Sequence, residues 1–205
     1  MKSKKIKRIA LFIIIIFIVL PGLIALPTII SGYNMYRDAV DAVSIEDRVA
    51  EIRANENFVT IDSIAPSFLT QLIAAEDQRF YSHGGIDLIS TGRALLTNVK
   101  SGSFSEGGSS ITQQLAKNMY FTFEKRLDRK VAELLVAFRL EKMLTKDEIL
   151  DLYCNIAYFG ENMYGIREAS LHYYGIEPID LSEEQSGALV LTLKSPSVNN
   201  PNSGN

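Results

Sequence analysis

From Ile9 to Ile30 the chain carries no charged residue, and Lys2, Lys4, Lys5, Lys7 and Arg8 stand directly before this run. Folded as a helix, such a run spans the roughly 30 Å of a bilayer's hydrocarbon core, where a helix satisfies every backbone polar group internally. A basic flank stays on the cytoplasmic side. The sequence therefore predicts a cytoplasmic basic tail over 1–8 and a single membrane-spanning anchor over 9–30, with everything after about Tyr33 outside the cytoplasm. A cleaved signal peptide is the competing reading, but the run exceeds the usual apolar stretch of about 7–15 residues and no small-x-small cleavage site closes it. Pro21 and Pro27 each lack a backbone donor and are expected to kink this helix or mark its outer end.

The 205 residues suffice for one domain of ordinary size beside the anchor. A net charge of −3, without a dense basic stripe interleaved with aromatics, argues against nucleic acid as a partner. Cys154 is the single cysteine, so the chain has no internal disulfide and no cysteine-based zinc site. His83 and His172, far apart in sequence, offer little to a transition metal, and no dedicated metal ligands are assigned. Stability must come from packing.

The remainder reads as mainly helical. Residues 31–60 form a polar stretch with scattered apolar positions (Val40, Val43, Ile45, Val49, Ile52), which suits a linker or stalk leading into a domain over 61–205. Pro66 favours a first helical position, and the helix it opens runs through Phe68, Leu69, Leu72 and Ile73 to end near Glu76. Leu88 to Val99 forms another amphipathic segment, stopped by the glycine and serine cluster from Ser101 to Ser110. From Asp128 to Leu144 the apolar positions Val131, Leu134, Leu135, Phe138 and Leu140 follow helical spacing; Arg129, Glu133 and Ala137 fall on another stripe, so Glu133 is expected to point away from the greasiest face. Thr145 and Ser182 each precede a glutamate or glutamine by three residues, which marks two helix starts. Ser195 to Asn205 reads as loop.

Chemistry concentrates in two segments. Gly107 to Gln114 holds glycine, serine, threonine and glutamine in a run whose side chains need hydrogen bonds or water, as in the lining of a site or a solvated loop. Glu76 stands before Asp77, Arg79, Phe80 and His83, and Glu133 lies on the later helix; paired carboxylates of this kind serve glycosyl transfer, where one group takes a proton and another steadies the departing group. Arg93, Lys117, Lys125, Arg126, Arg129 and Lys130 supply the donors that a pyrophosphate leaving group requires, or else pair on the surface with Glu124, Asp128 and Glu133. Met119, Tyr120, Phe121 and Phe123 suit either the core or a lipid surface.

Five ordered segments, EDQRFYSHGGID (Glu76 to Asp87), GGSSITQQLAKN (Gly107 to Asn118), RKVAELLVAFRLE (Arg129 to Glu141), KDEILDLYCNIAYFGENMYGI (Lys146 to Ile166) and the weaker LKSPSVNNP (Leu193 to Pro201), resemble the motifs of the peptidoglycan glycosyltransferase domain. That domain occurs in class A penicillin-binding proteins and in monofunctional transglycosylases. The resemblance implies a lysozyme-like, mainly α-helical domain that polymerises lipid II into β-1,4 glycan strands with inversion and release of undecaprenyl pyrophosphate. It implies that Glu76 is the base toward the acceptor hydroxyl and that Glu133 assists on the pyrophosphate side. Asp77 would shape the site; Arg93, Lys117, Arg129 and Lys130 would contact pyrophosphate or donor sugar, and Ser109, Thr112, Gln113 and Gln114 would build the sugar cleft. Implied partners are lipid II, the nascent glycan strand, membrane lipid and transpeptidases of the wall-synthesis complex, at the cell membrane. No organic cofactor is implied; a divalent cation such as Mg²⁺ can accompany pyrophosphate without a protein cage.

Three departures stand out. Ser110 replaces the usual threonine and keeps the hydroxyl. Lys125 followed by Arg126 stands where an arginine is usual, which removes the bidentate fork from position 125 unless Arg126 takes its place. Cys154 replaces a leucine and is expected to pack as a small hydrophobe, within a fourth motif read as scaffold. The sequence stops shortly after the fifth motif without Ser-x-x-Lys chemistry, which points to a monofunctional protein. A lytic glycosidase using Glu76 as acid and a catalytically silent scaffold stand as the alternatives.

Overall fold

The computed structural model describes residues 12, 16, 19–102, 107–122, 124 and 126–203. The basic tail over 1–8, much of the anchor run, Phe123 and Lys125 lie outside the described residues. Those that are described form helices and no strand; Tyr158 and Tyr164 make an isolated antiparallel bridge. The expectation of a mainly α chain holds.

Helix α1 (Leu20–Ala42) takes Pro21 into its first turn, where a missing N–H costs nothing, and runs on through Pro27. Pro27 therefore does not end the helix. Among the described residues no helix is long and apolar enough to cross a membrane. One glycine docks α1 against the domain: a Cβ on Gly32 would stand 2.5 Å from both the Asp128 carbonyl oxygen and the Val131 Cβ. Beside this approach the Ser31 hydroxyl donates to Asp128 Oδ2 at 2.9 Å.

Helix α2 (Ile45–Arg53) starts on Ser44, whose hydroxyl accepts from the Asp47 N–H, and it buries Ile45, Val49 and Ile52. The second half of the expected linker thus belongs to the core, because its three apolar residues share one helical face.

Next come α3 (Pro66–Glu76), α4 (Leu88–Ser101), α5 (Ile111–Tyr120), α6 (Leu127–Met143), α7 (Lys146–Ile156), α8 (Ile166–Tyr174) and α9 (Glu183–Lys194). Both expected capping boxes are present, at Thr145 and Ser182, and Ser110 with Gln113 forms another at the start of α5. Helix α5 packs between α6 and α7, while α3 lies against α9. Phe68, Leu72, Phe80, Ile111, Leu115, Val136, Leu140, Ile149, Leu150, Tyr153 and Phe159 fill the interior between them. Met119 is buried, with Tyr120 and Phe121 packed against the same cluster, so these three serve the core.

Helix α6 departs from its predicted orientation, and α4 leaves its apolar side open. On α6 the buried residues are Ala132, Glu133, Val136, Ala137 and Leu140, whereas Phe138 is exposed. The interior-facing stripe is the one that contains Glu133. Contact with both α1 and α5 rotates α6, and its small residues Ala132 and Ala137 allow that approach. On α4 only Ala94 is buried, and Leu88, Ile89, Leu95, Leu96 and Val99 face outward. Its amphipathic pattern is real, but the apolar side is the open one.

Candidate active site

Buried Asp77, directly after α3, joins the first motif to the second. Its Oδ1 meets His83 Nε2 at 2.7 Å, and its Oδ2 accepts the N–H of Ile111, the first residue of α5, at 3.0 Å. The Ser110 hydroxyl donates to the Gly85 carbonyl at 2.8 Å, closing the same joint. Asp87 caps α4 by accepting from the N–H groups of Ile89 and Ser90, and Arg79 donates to both of its carboxylate oxygens at 2.8 Å. Burial alone would push the Asp87 carboxyl up, but the Arg79 guanidinium and the Ser90 N–H hold it well below the usual carboxylate range. Ligand atoms of Asp77, His83 and Asp87 lie within 4.8 Å of one another, a spacing that suits a metal ion. Each group is already spent on these internal bonds, and Arg79 brings its own positive charge.

With the first two motifs held together, a cleft of about 610 Å³ opens between the end of α3 and the start of α5. Glu76, Arg93, Ser109, Gln114 and Lys117 line it, and Lys194 at the end of α9 reaches its margin. Gln114 Nε2 donates to Glu76 Oε2 at 2.8 Å, and the Tyr153 hydroxyl donates to Gln114 Oε1 at 3.2 Å. Burial pushes the Lys117 ammonium below the ordinary lysine value; Arg129 and Lys130 push the same way, while Glu133 and Glu76 oppose them.

Glu133, only 1 % exposed, organises the cations behind this wall. Its Oε2 takes Lys130 Nζ at 3.0 Å, and the same ammonium donates to Ser109 Oγ at 2.6 Å. Arg129 approaches Glu133 Oε1 to 2.9 Å and donates to the Thr122 carbonyl at 3.0 Å. The first of these contacts is an ion pair without hydrogen-bond alignment, so Glu133 Oε1 and Arg129 Nε are buried without a hydrogen bond among the described residues.

Residues 45–205 match the family described as Transglycosylase. The chain belongs to the transglycosylase family. Penicillin-binding protein 1F of Bacillus subtilis is 38% identical over 210 residues, covering 96% of this chain and 29% of that protein. Penicillin-binding protein 1A of Escherichia coli is 42% identical over 143 residues, 70% of this chain and 17% of that protein. A candidate transglycosylase of Cupriavidus necator is 40% identical over 155 residues, 76% of this chain and 67% of that protein. The chain thus spans less than a third of the penicillin-binding proteins it matches. What it carries is a domain of the peptidoglycan transglycosylase family.

Within the transglycosylase domain the residues singled out by sequence divide into three groups. Glu76, Asp77, Arg93, Ser109, Gln114 and Lys117 meet at the cleft, with Arg129, Lys130 and Glu133 joined to them through Ser109. Thr112 and Gln113 are buried and do not line it: the Thr112 hydroxyl donates to Glu141 at 2.6 Å, and Gln113 closes the capping box. Arg126 is spent on Asp128, at 2.7 Å, away from the cleft lining, and Lys125 lies outside the described residues. The sequence did not single out Tyr153 as part of the site, nor Asp87, Ser90 and Lys194 as its lining. Proximity in space brings these together, and the weak fifth motif was the only hint of Lys194.

Proposed function

We propose that the transglycosylase domain polymerises lipid II into β-1,4 glycan strands and releases undecaprenyl pyrophosphate, with inversion at the donor sugar. The observation that carries this reading is a carboxylate, Glu76, in one open cleft with Arg93 and Lys117. Hydrolysis of a neutral glycan has no use for that cation cluster; a departing pyrophosphate does. Glu76 takes the proton of the acceptor hydroxyl as its oxygen bonds to the anomeric carbon, and the bond from that carbon to pyrophosphate breaks. Lys117 and Arg93, with Lys130 and Arg129 behind, receive the charge that builds on the leaving group. Buried Glu133 acts through Arg129 and Lys130, fixing their position, rather than meeting the acceptor itself. Asp77 holds the start of α5, and with it Gln114 and Lys117, against the end of α3.

The mainly helical frame of the described residues is in keeping with a lysozyme-like fold. The uncharged run of 9–30 and its basic flank support a single-pass membrane protein with the domain outside the cytoplasm, and the exposed apolar residues of α4 support a domain that lies on the lipid surface. Transpeptidases that cross-link the new strands would be its natural partners. No organic cofactor enters the reaction, and any divalent cation would arrive with the pyrophosphate.

The test is polymerisation of labelled lipid II by the full-length protein in detergent. Wild type should make long, lysozyme-digestible glycan. Glu76→Gln should lower the rate by about a thousandfold, within the range of losing a general base, and Glu133→Gln by about a hundredfold. A wild-type protein that binds lipid II without polymerising it would overturn the reading.

A further inference from the structure

Tyr153 sits on α7 between Leu152 and Cys154, all of them buried, where a phenylalanine would fill the same space without burying a hydroxyl. That hydroxyl makes its hydrogen bond to Gln114 Oε1 at 3.2 Å, and Gln114 Nε2 in turn donates to Glu76 Oε2 at 2.8 Å. The direction of the chain follows from the groups themselves. An ionised carboxylate only accepts, so the amide must present its nitrogen to Glu76 and its oxygen to α7; the tyrosine is then obliged to donate. Without a donor on the far side, the amide oxygen loses its Tyr153 partner, and only the bond to the carboxylate is left to hold the amide in place.

We infer that Tyr153 is a positioning residue for Glu76, acting through Gln114: its hydroxyl orients the amide that holds the carboxylate in place at the cleft. This rests on the reading of Glu76 as the base. Burial pushes the Tyr153 hydroxyl well above its ordinary value, and the charge of Glu76 adds to the push, so it keeps its proton and remains a donor. The arrangement also explains why a glutamine at 114 shares a helical face with Lys117: one side chain steadies the base while the other, a turn later on α5, meets the departing charge.

The experiment is a double-mutant cycle on full-length protein with labelled lipid II, using Tyr153→Phe, Gln114→Met and the pair. Tyr153→Phe should lower kcat by up to about tenfold with KM changed less than about twofold, the upper end of what one hydrogen bond between neutral groups supplies. Gln114→Met should lower kcat at least as much, and adding Tyr153→Phe to it should change nothing further. An undiminished kcat in Tyr153→Phe, or an equal further loss in the double variant, overturns the relay. If Tyr153→Phe does not fold, Gln114→Met decides alone: full kcat in that variant refutes it. Glu76→Gln is run beside them. Wild-type rate in Glu76→Gln overturns the base assignment and the relay with it, whereas loss there with an intact Tyr153→Phe removes the relay and leaves the base.

Discussion

Asp128 shows how one side chain changes meaning once its neighbours are known. In the sequence it is a surface partner for nearby cations; in the structure it accepts from Ser31 on α1 and from Arg126, beside the close approach at Gly32. The Arg126 guanidinium, with the Ser31 hydroxyl, lowers its carboxyl from 3.8 to about 2. A carboxyl depressed in the folded state contributes stability above its unfolded value and loses it as pH falls through the folded one. The melting-temperature gap between wild type and Asp128→Asn should therefore be full above pH 3.8 and close as pH approaches about 2. A gap that does not vary with pH would show that Asp128 holds α1 by shape alone. The same residue-scale lesson applies to Thr112 and Gln113. Both are polar and both sit in the motif, yet a capping box and a bond to Glu141 absorb them, and only their neighbours Ser109, Gln114 and Lys117 face the cleft.

Among the helices, α1 and α6 carry the least expected relation. The sequence places Gly32 in the expected linker over 31–60, but it is a point at which α1 touches α6. Two opposite outcomes attend Gly32→Ala. On a helix standing free in solvent the extra methyl would stabilise by up to about 1 kcal/mol through helix propensity. On α1 as docked, the new Cβ would stand 2.5 Å from a backbone oxygen, which cannot rotate away, and the overpacking costs about 1–3 kcal/mol. Thermal unfolding of full-length Gly32→Ala should therefore shift downward, and an upward shift would mean that α1 does not dock in solution. The rotation of α6 has a related origin. Its hydrophobic stripe favoured Leu134, Leu135 and Phe138, but α1 and α5 both pack against it, and the small residues between them decide which face closes, bringing Glu133 inside with Arg129 and Lys130 as counter-charges.

Across the whole molecule, apolar surface is left on the outside of α4, where Leu95 and Leu96 are each 64% exposed. Patches of this kind suit contact with a lipid surface, as the proposed membrane location requires. A fluorophore on Leu96→Cys, in full-length protein reconstituted into phosphatidylglycerol vesicles, should emit to the blue and be quenched by brominated lipid. The same fluorophore on Glu184→Cys, at a polar surface position, should not. The native thiol does not interfere, since burial raises Cys154 well above the reactive range. A water-like spectrum at position 96 would remove α4 from the membrane surface.

What the sequence determined by itself was local or patterned: the helix at Pro66 that ends on Glu76, the capping boxes at Thr145 and Ser182, the buried Cys154, and the family through the order of its motifs. Each depends on residues within a few turns of one another, or on a string that can be matched without folding it. Tertiary structure alone decided which face of α6 is inside, that residues 45–53 pack as core, that Arg126 serves α1 while Thr112 serves Glu141, and that Tyr153 stands behind Gln114. Those outcomes depend on what arrives from the far end of the chain. A helical stripe states only which residues share a face, and the partner that packs against it settles what that face is for.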